Sequence, residues 1–174
     1  ANPGKLRFGS SESSSRLAGE QFKQAAGVDL VHVPYKGGAQ IVQDMLGGHV
    51  EVGFTSVLTF LPHYKSGKIR ILAVGGKTRA GAMPDVPTAA EAGLGGYETY
   101  VWYGMYAPKA TPRGVVARIQ QEIARIVRLR DSGERLAALG ADAVASTPEE
   151  FAAFTRAEYE KFAKLVKAAG IQPE

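Results

Sequence analysis

The chain contains no cysteine. That excludes disulfides, thiolate zinc sites and thiol nucleophiles; it leaves the compartment open, because periplasmic and cytosolic chains alike can do without the residue. Long hydrophobic runs are also missing: none approaches the roughly 18 residues of a membrane-spanning helix, and no signal peptide opens the chain. Histidine occurs three times, as His32, His49 and His63, and no two of them share an element at metal-ligand spacing. Neither metal chemistry nor any cofactor is therefore expected. The phosphate-cradling patterns G-x-x-x-x-G-K-[ST] and G-x-G-x-x-G are absent, as is the G-x-S-x-G nucleophile turn. One sign of charge only narrowly exceeds the other, with 21 Lys and Arg against 17 Asp and Glu, a net +4. The pI near 9.3 suits small anionic ligands. A nucleic-acid partner is not expected, since it calls for a concentrated basic stripe. The densest basic set, Arg113, Arg118, Arg125, Arg128 and Arg130, alternates with apolar positions, as on one solvated helix face.

What is present is an ordinary globular balance. The 174 residues are 45% hydrophobic and 22% charged, enough for one large or two small domains with a real core. Ala1-Asn2-Pro3-Gly4-Lys5 runs straight into a strand, Leu6 to Gly9, which reads as an internal start. A helix is predicted from Ser14 to Ala26, stopped by Gly27, and then a buried strand, Asp29 to Tyr35. Gly37-Gly38 opens a helix through Leu46 that Gly47-Gly48 closes. Val50 to Phe54 is the next strand, Val57 to Tyr64 a helix capped by Thr55 or Ser56, and Ile69 to Val74 a fourth strand. This order implies a parallel sheet with helices on both faces. An irregular stretch follows, Gly75 to Gly96, with a short helix at Ala89 to Ala92. Tyr97 to Pro108 is an extended aromatic segment.

The character changes near Pro108 to Pro112. Val115, Val116, Ile119, Ile123, Ile126 and Val127 recur at helical spacing, and Leu136 and Leu139 mark a second short helix. Ala141 to Ala145 reads as a small strand. Thr147-Pro148-Glu149-Glu150 carries the signals of a helix start: an N-cap hydroxyl, a first-turn proline and acids. Phe151, Phe154, Phe162, Leu165 and Val166 stripe the last helix. The reading is α/β for residues 1–110, the ligand-binding part, and helical for 111–174.

The chemistry concentrates in Gly9-Ser10-Ser11-Glu12-Ser13-Ser14-Ser15. A hydroxyl-rich turn between a strand and a helix offers unpaired backbone N–H groups, the positive end of a helix dipole and rotatable hydroxyl donors. Serine runs also make plain loops and caps. The turn has no His or Cys, so it is suited to holding a carboxylate rather than transforming one. Glu12 is expected to be exposed, because a carboxylate beside a bound carboxylate repels it. In a doubly wound sheet ligands lie beyond the carboxyl ends of the strands. Four loops qualify: the serine turn, Tyr35 to Gly38, Thr55-Ser56 and Gly75-Gly76. The candidate binding residues are Ser10, Ser11, Ser13, Ser14, Tyr35, Lys36, Gly37, Thr55 and Ser56, with Lys36 their only cation. His32, inside an apolar strand, reads as a satisfied core or sheet-edge residue, and no catalytic residue is assigned.

Ala1-Asn2-Pro3-Gly4-Lys5-Leu6, Leu17-Ala18-Gly19-Glu20, and Val31-His32-Val33-Pro34-Tyr35-Lys36-Gly37 resemble one family closely. Leu46-Gly47-Gly48-His49-Val50, Pro84-Asp85-Val86-Pro87-Thr88, Glu91-Ala92-Gly93 and Leu136-Ala137-Ala138-Leu139-Gly140-Ala141 extend the likeness over the whole chain. It is similar to the receptors of tripartite tricarboxylate transporters, the Bug-type periplasmic solute-binding proteins. The resemblance implies a type II periplasmic-binding-protein-like α/β fold, a clamshell of two domains closing about a hinge that includes Trp102 to Tyr106. It implies a periplasmic receptor, not an enzyme, whose ligand is a small carboxylate: a dicarboxylate, tricarboxylate, amino acid or aromatic acid. Its other partner is a membrane permease.

It also implies that residues 1–110 are domain two and that 111–174 return to pack on a domain one missing here. The stripes Ile119/Ile123/Ile126 and Phe154/Phe162/Leu165 are then expected to expose apolar surface and favour a homodimer. The serine turn is shorter than the glycine-containing loop of many members, and Arg16 stands where many carry His or an apolar residue. Two other functions fit parts of the pattern. One is the ligand-sensing domain of a regulator, which shares the two-lobed architecture. The other is a serine hydrolase, which lacks a Ser–His–acid set.

Overall fold

Three short parallel strands, each leading into a helix, organise the first part of the chain. The computed structural model describes residues 4–171; the expected lead Ala1-Asn2-Pro3 lies outside the described residues. The elements are β1 (Arg7–Ser10), α1 (Ser13–Ala26), β2 (Val31–Pro34), α2 (Gly38–Leu46), β3 (Val52–Gly53) and α3 (Val57–Lys65), then α4 (Arg113–Val127), α5 (Arg130–Ala138) and α6 (Pro148–Ala168). β1 is central in the order β2-β1-β3, parallel to both neighbours. The fold is α/β with a small parallel sheet covered by helices.

Both faces are covered, and the alternation of side chains along β1 shows how. Phe8, fully buried, points to the α1 face, where its ring lies against the backbone of Gly19. Gly9 and its register partner Gly53 face the other way, toward Ile41 of α2. Ile41, Val42, Phe60 and Ile69 make the core on that side. Small residues in β1 and β3 let α2 and α3 approach the sheet closely.

The helix stops follow local chemistry. Gly27 ends α1 in the left-handed region at φ 61°, and its amide bonds back into the last turn. Gly47-Gly48 closes α2, with Gly48 at φ 73°.

Three expected elements form differently. Ile69 to Val74 joins no strand ladder; Arg70 and Leu72 are exposed between the more buried Ile69, Ile71 and Ala73, and the alternation ends at Val74, which is buried. It makes one parallel bridge, Val74 to Thr88. A two-residue β3 offers too short an edge for a ladder to continue. Ala89 to Ala92 is a single turn, cut off by Gly93 at φ 95°. Ala141 to Ala145 is irregular, and Ala145 at φ 49° breaks extension there.

The later helices return to the sheet part. α6 packs on α1 and clamps the aromatic segment: Trp102 sits edge-on to Phe151 and Phe154 at 5.7 and 5.3 Å. Lys161 donates to the Glu98 carbonyl at 2.8 Å. The Phe154/Phe162/Leu165 stripe, expected to be open, is therefore largely covered. The α4 stripe is not: Val115, Ile119 and Ile126 are each more than 40% exposed.

Candidate functional site

The site is built by topology. Parallel strands followed directly by helices put every strand's carboxyl end and every helix's amino end on one edge. Here two residues separate β1 from α1, and three separate β2 from α2 and β3 from α3. Backbone bonds pin the loop roots together: the Tyr35 amide donates to the Ser10 carbonyl at 2.8 Å, and the Phe54 amide to the Gly9 carbonyl at 3.0 Å. Thr55 lies against the first turn of α2, where a side chain on Gly38 would meet its Oγ1.

The serine turn folds on itself. Ser15 Oγ accepts from the amides of Ser11 and Glu12 at 3.1 and 3.0 Å and donates to the Glu12 carbonyl at 2.9 Å. Glu12 is the N-cap residue of α1 and is exposed, as expected. Ser10 is 3% exposed, and its Oγ lies 2.7 Å from His32 Nε2.

The remaining candidates divide. Ser14, Thr55 and Ser56 line a hollow of about 3120 Å³ between the α/β part and the later helices, together with Gly75 and Gly76. Ser10, Ser11, Ser13, Tyr35, Lys36 and Gly37 lie off that hollow. The Tyr35 hydroxyl donates to Asp44 Oδ2 at 2.7 Å. Burial and then that bond to Asp44 push its pKa up to about 12, so it stays a phenol at any physiological pH. The Lys36 amide donates to Gln40 Oε1 at 3.1 Å, and the side chain is exposed.

The hollow is several times the volume of a small-molecule pocket, roughly 300–1,000 Å³. The hydroxyls of Ser14, Thr55 and Ser56 are neutral donors, Lys77 and Arg79 bring cations to the lining, and Phe22, Phe54, Tyr97 and Trp102 supply apolar wall. Phe54, Phe22 and Tyr97 contact one another in series at 5.6 and 6.0 Å. Ser15 and His32 are the site-shaping residues that sequence reasoning left out of the candidate set. Ser15 was visible as a serine three residues after the helix cap, the spacing of a capping box; His32 gave no local signal of its partner. Among the described residues, no group of three or more His, Asp or Glu is placed to hold a metal ion.

A parallel α/β unit with hydroxyls and helix N-termini gathered at the strand ends is the class of fold the chain presents. The family model described as "Tripartite tricarboxylate transporter family receptor" matches residues 1–171, and the chain belongs to that family. A UPF0065 protein of Pseudomonas sp. is 38% identical over 168 residues, 95% of this chain and 50% of the relative. Protein BugT of Bordetella pertussis is 31% identical over 98% of this chain and 53% of its own length. The chain thus spans about half the length of these two relatives. Among solved structures, an R. palustris protein with adipate superposes with a TM-score of 0.89 at 32% identity, covering 99% of this chain and 58% of that one. MatC from Rhodopseudomonas palustris with bound malate gives 0.75 at 27% identity, covering 94% and 57%. The periplasmic binding protein BugD gives 0.79 at 30% identity, over 99% and 59%. Two of these neighbours thus hold a dicarboxylate, adipate or malate, and a third is a periplasmic binding protein.

Proposed function

We propose that this chain is a ligand-binding lobe of a periplasmic receptor that captures a small carboxylate and delivers it to a tripartite tricarboxylate-type permease. The observation that carries the reading is the convergence of three helix N-termini and their hydroxyls on one sheet edge. Neutral donors of this kind bind a carboxylate through hydrogen bonds and helix dipoles, without a fixed cation. Ser14, Thr55 and Ser56, which reach the hollow, are the direct contacts. Ser10, Ser11, Ser13, Tyr35, Lys36 and Gly37 shape the loops around them. Family membership and the neighbours with adipate and malate support the carboxylate class.

Residues 1–110 form the binding lobe, and the half-open α4 stripe on 111–174 is where a second lobe seats. The roughly 3120 Å³ hollow is the space that lobe narrows to ligand size, and closure follows a hinge through the aromatic segment. Neither a regulator nor a hydrolase finds support. Ser10 and His32 are within hydrogen-bonding distance, but a serine 3% exposed presents no nucleophile to an acyl group.

A thermal-unfolding screen against adipate, malate, citrate, glutamate and benzoate tests the reading. A ligand at a hundredfold excess over its Kd stabilises by about 2.7 kcal/mol. A dose-dependent rise with at least one carboxylate is expected; a flat response to all five counts against carboxylate capture.

A further inference from the structure

We infer that His32 is a positioning residue: by holding the Ser10 hydroxyl it fixes the β1–α1 loop in the shape that offers the first amides of α1 to a carboxylate. The use of those amides rests on the receptor reading above; the fixing of the loop does not.

Ser10 is the last residue of β1 and the root of the loop. It is tied to β2 and its continuation twice, through Oγ to His32 Nε2 at 2.7 Å and through its carbonyl to the Tyr35 amide at 2.8 Å. The imidazole is itself held: His32 stands opposite Phe8 in the parallel register, with ring centroids 5.0 Å apart. Only Ser11 and Glu12 separate this root from the first residue of α1. Their amides both go to Ser15 Oγ. That bonding leaves the amides of Ser13 and Ser14, which have no intrahelical acceptor; of the two residues, Ser14 lines the hollow.

A buried hydroxyl without its partner must be rehydrated or find another. Ser10 cannot be rehydrated where it sits. Loss of the imidazole bond therefore acts on the loop root, and through two residues on the Ser15 arrangement. A serine buried beside a histidine works here as a latch.

Amide hydrogen exchange in the intact chain tests this without a ligand. His32→Phe keeps a ring against Phe8 and removes the bond; His32→Gln restores a side-chain group that hydrogen-bonds Ser10. In the Phe variant, exchange at Ser11 and Glu12 is expected to rise roughly tenfold, the scale of one lost hydrogen bond, with α2 and α6 unchanged. Gln restores most of the protection. Ser10→Ala added to His32→Phe produces little further change, because both act on one contact. Unchanged exchange at Ser11 and Glu12 in the Phe variant overturns the latch, as does a Ser10→Ala effect that adds in full.

Adipate titration then addresses the site. If the unaltered chain binds adipate, the Phe variant binds about tenfold more weakly and the Gln variant nearly as well as the parent; equal affinity in all three refutes the link to the ligand. If the unaltered chain binds no adipate, the receptor reading loses support while the exchange data still decide the latch.

Discussion

The Arg7 guanidinium bonds Glu51 through Nη2 at 2.6 Å and Nε at 3.3 Å, and the Arg7 amide adds a third bond at 2.8 Å. The pair joins the start of β1 to the approach of β3. These bonds, the side-chain ones first and the amide next, lower the Glu51 pKa from 4.5 to about 2. A carboxylate with a folded pKa below its unfolded one contributes stability that is fully present above the unfolded value. That contribution fades as pH falls from about 4.5 toward 2. Because the pair is solvent-accessible, the contribution is small at any pH. The unfolding midpoint of the parent is expected to exceed that of Glu51→Gln at neutral pH, with the gap closing across this window. A gap that stays constant down to pH 2 contradicts the assignment. This pair was not legible in the sequence, because 44 residues separate its members and nothing local links them. Glu12 was legible: its exposure follows from the electrostatics of its own turn.

Local signals also decided which elements could be read. Thr147 caps α6: its Oγ1 accepts from the Glu150 amide at 3.2 Å, while Glu150 Oε2 accepts from the Thr147 amide at 2.8 Å. Pro148 occupies the first helical position. All of this lies within four consecutive residues, so the sequence shows it directly. The backbone and side-chain bonds from Thr147 also hold the Glu150 carboxyl below its ordinary pKa. Thr147→Ala is expected to cost about 1 kcal/mol, read as a lower urea midpoint at an unchanged slope; Thr147→Ser should lose much less. An Ala variant as stable as the parent indicates that the cap does not hold α6 in place. The contrast is Ile69 to Val74, whose alternation reads as a strand. Alternation is a local property and holds from Ile69 to Ala73, but a ladder needs a neighbour with enough edge. The two-residue β3 is a tertiary outcome that no window around Ile69 reveals. For the same reason the strand-end loops could be named from order alone, while the division of their residues between hollow and loop interior could not.

At the scale of the molecule, the unusual quantity is uncovered apolar surface. Tyr103, Met105 and Tyr106 are 83%, 68% and 65% exposed and line the same hollow as Thr55 and Ser56. Leu72 and Val144, 68% and 79% exposed, line it too. Single exposed apolar side chains are unremarkable, but several on one concavity mark a contact surface. The later helices could have closed over it. Instead α6 is committed to α1 and the aromatic segment, and α4 turns part of its own stripe outward. Two things can cover such a surface: the share of the relatives' length that this chain does not span, or a second copy. The 174-residue chain alone is therefore expected to self-associate, its mass by light scattering rising from monomer toward dimer with concentration. Tyr103→Ser combined with Met105→Ser should shift that rise to higher concentration, because both side chains lie on the hollow and neither is buried within the protomer. On the proposed receptor reading, the same chain joined to a polypeptide of the remaining length of its relatives should remain a monomer and bind carboxylate more tightly, because the added lobe would cover this surface and exclude water. A 174-residue chain that stays strictly monomeric at high concentration argues against the surface being an unfilled contact. The hollow would then be a stable solvent-filled feature, and ligand closure would have to come from movement within the chain itself.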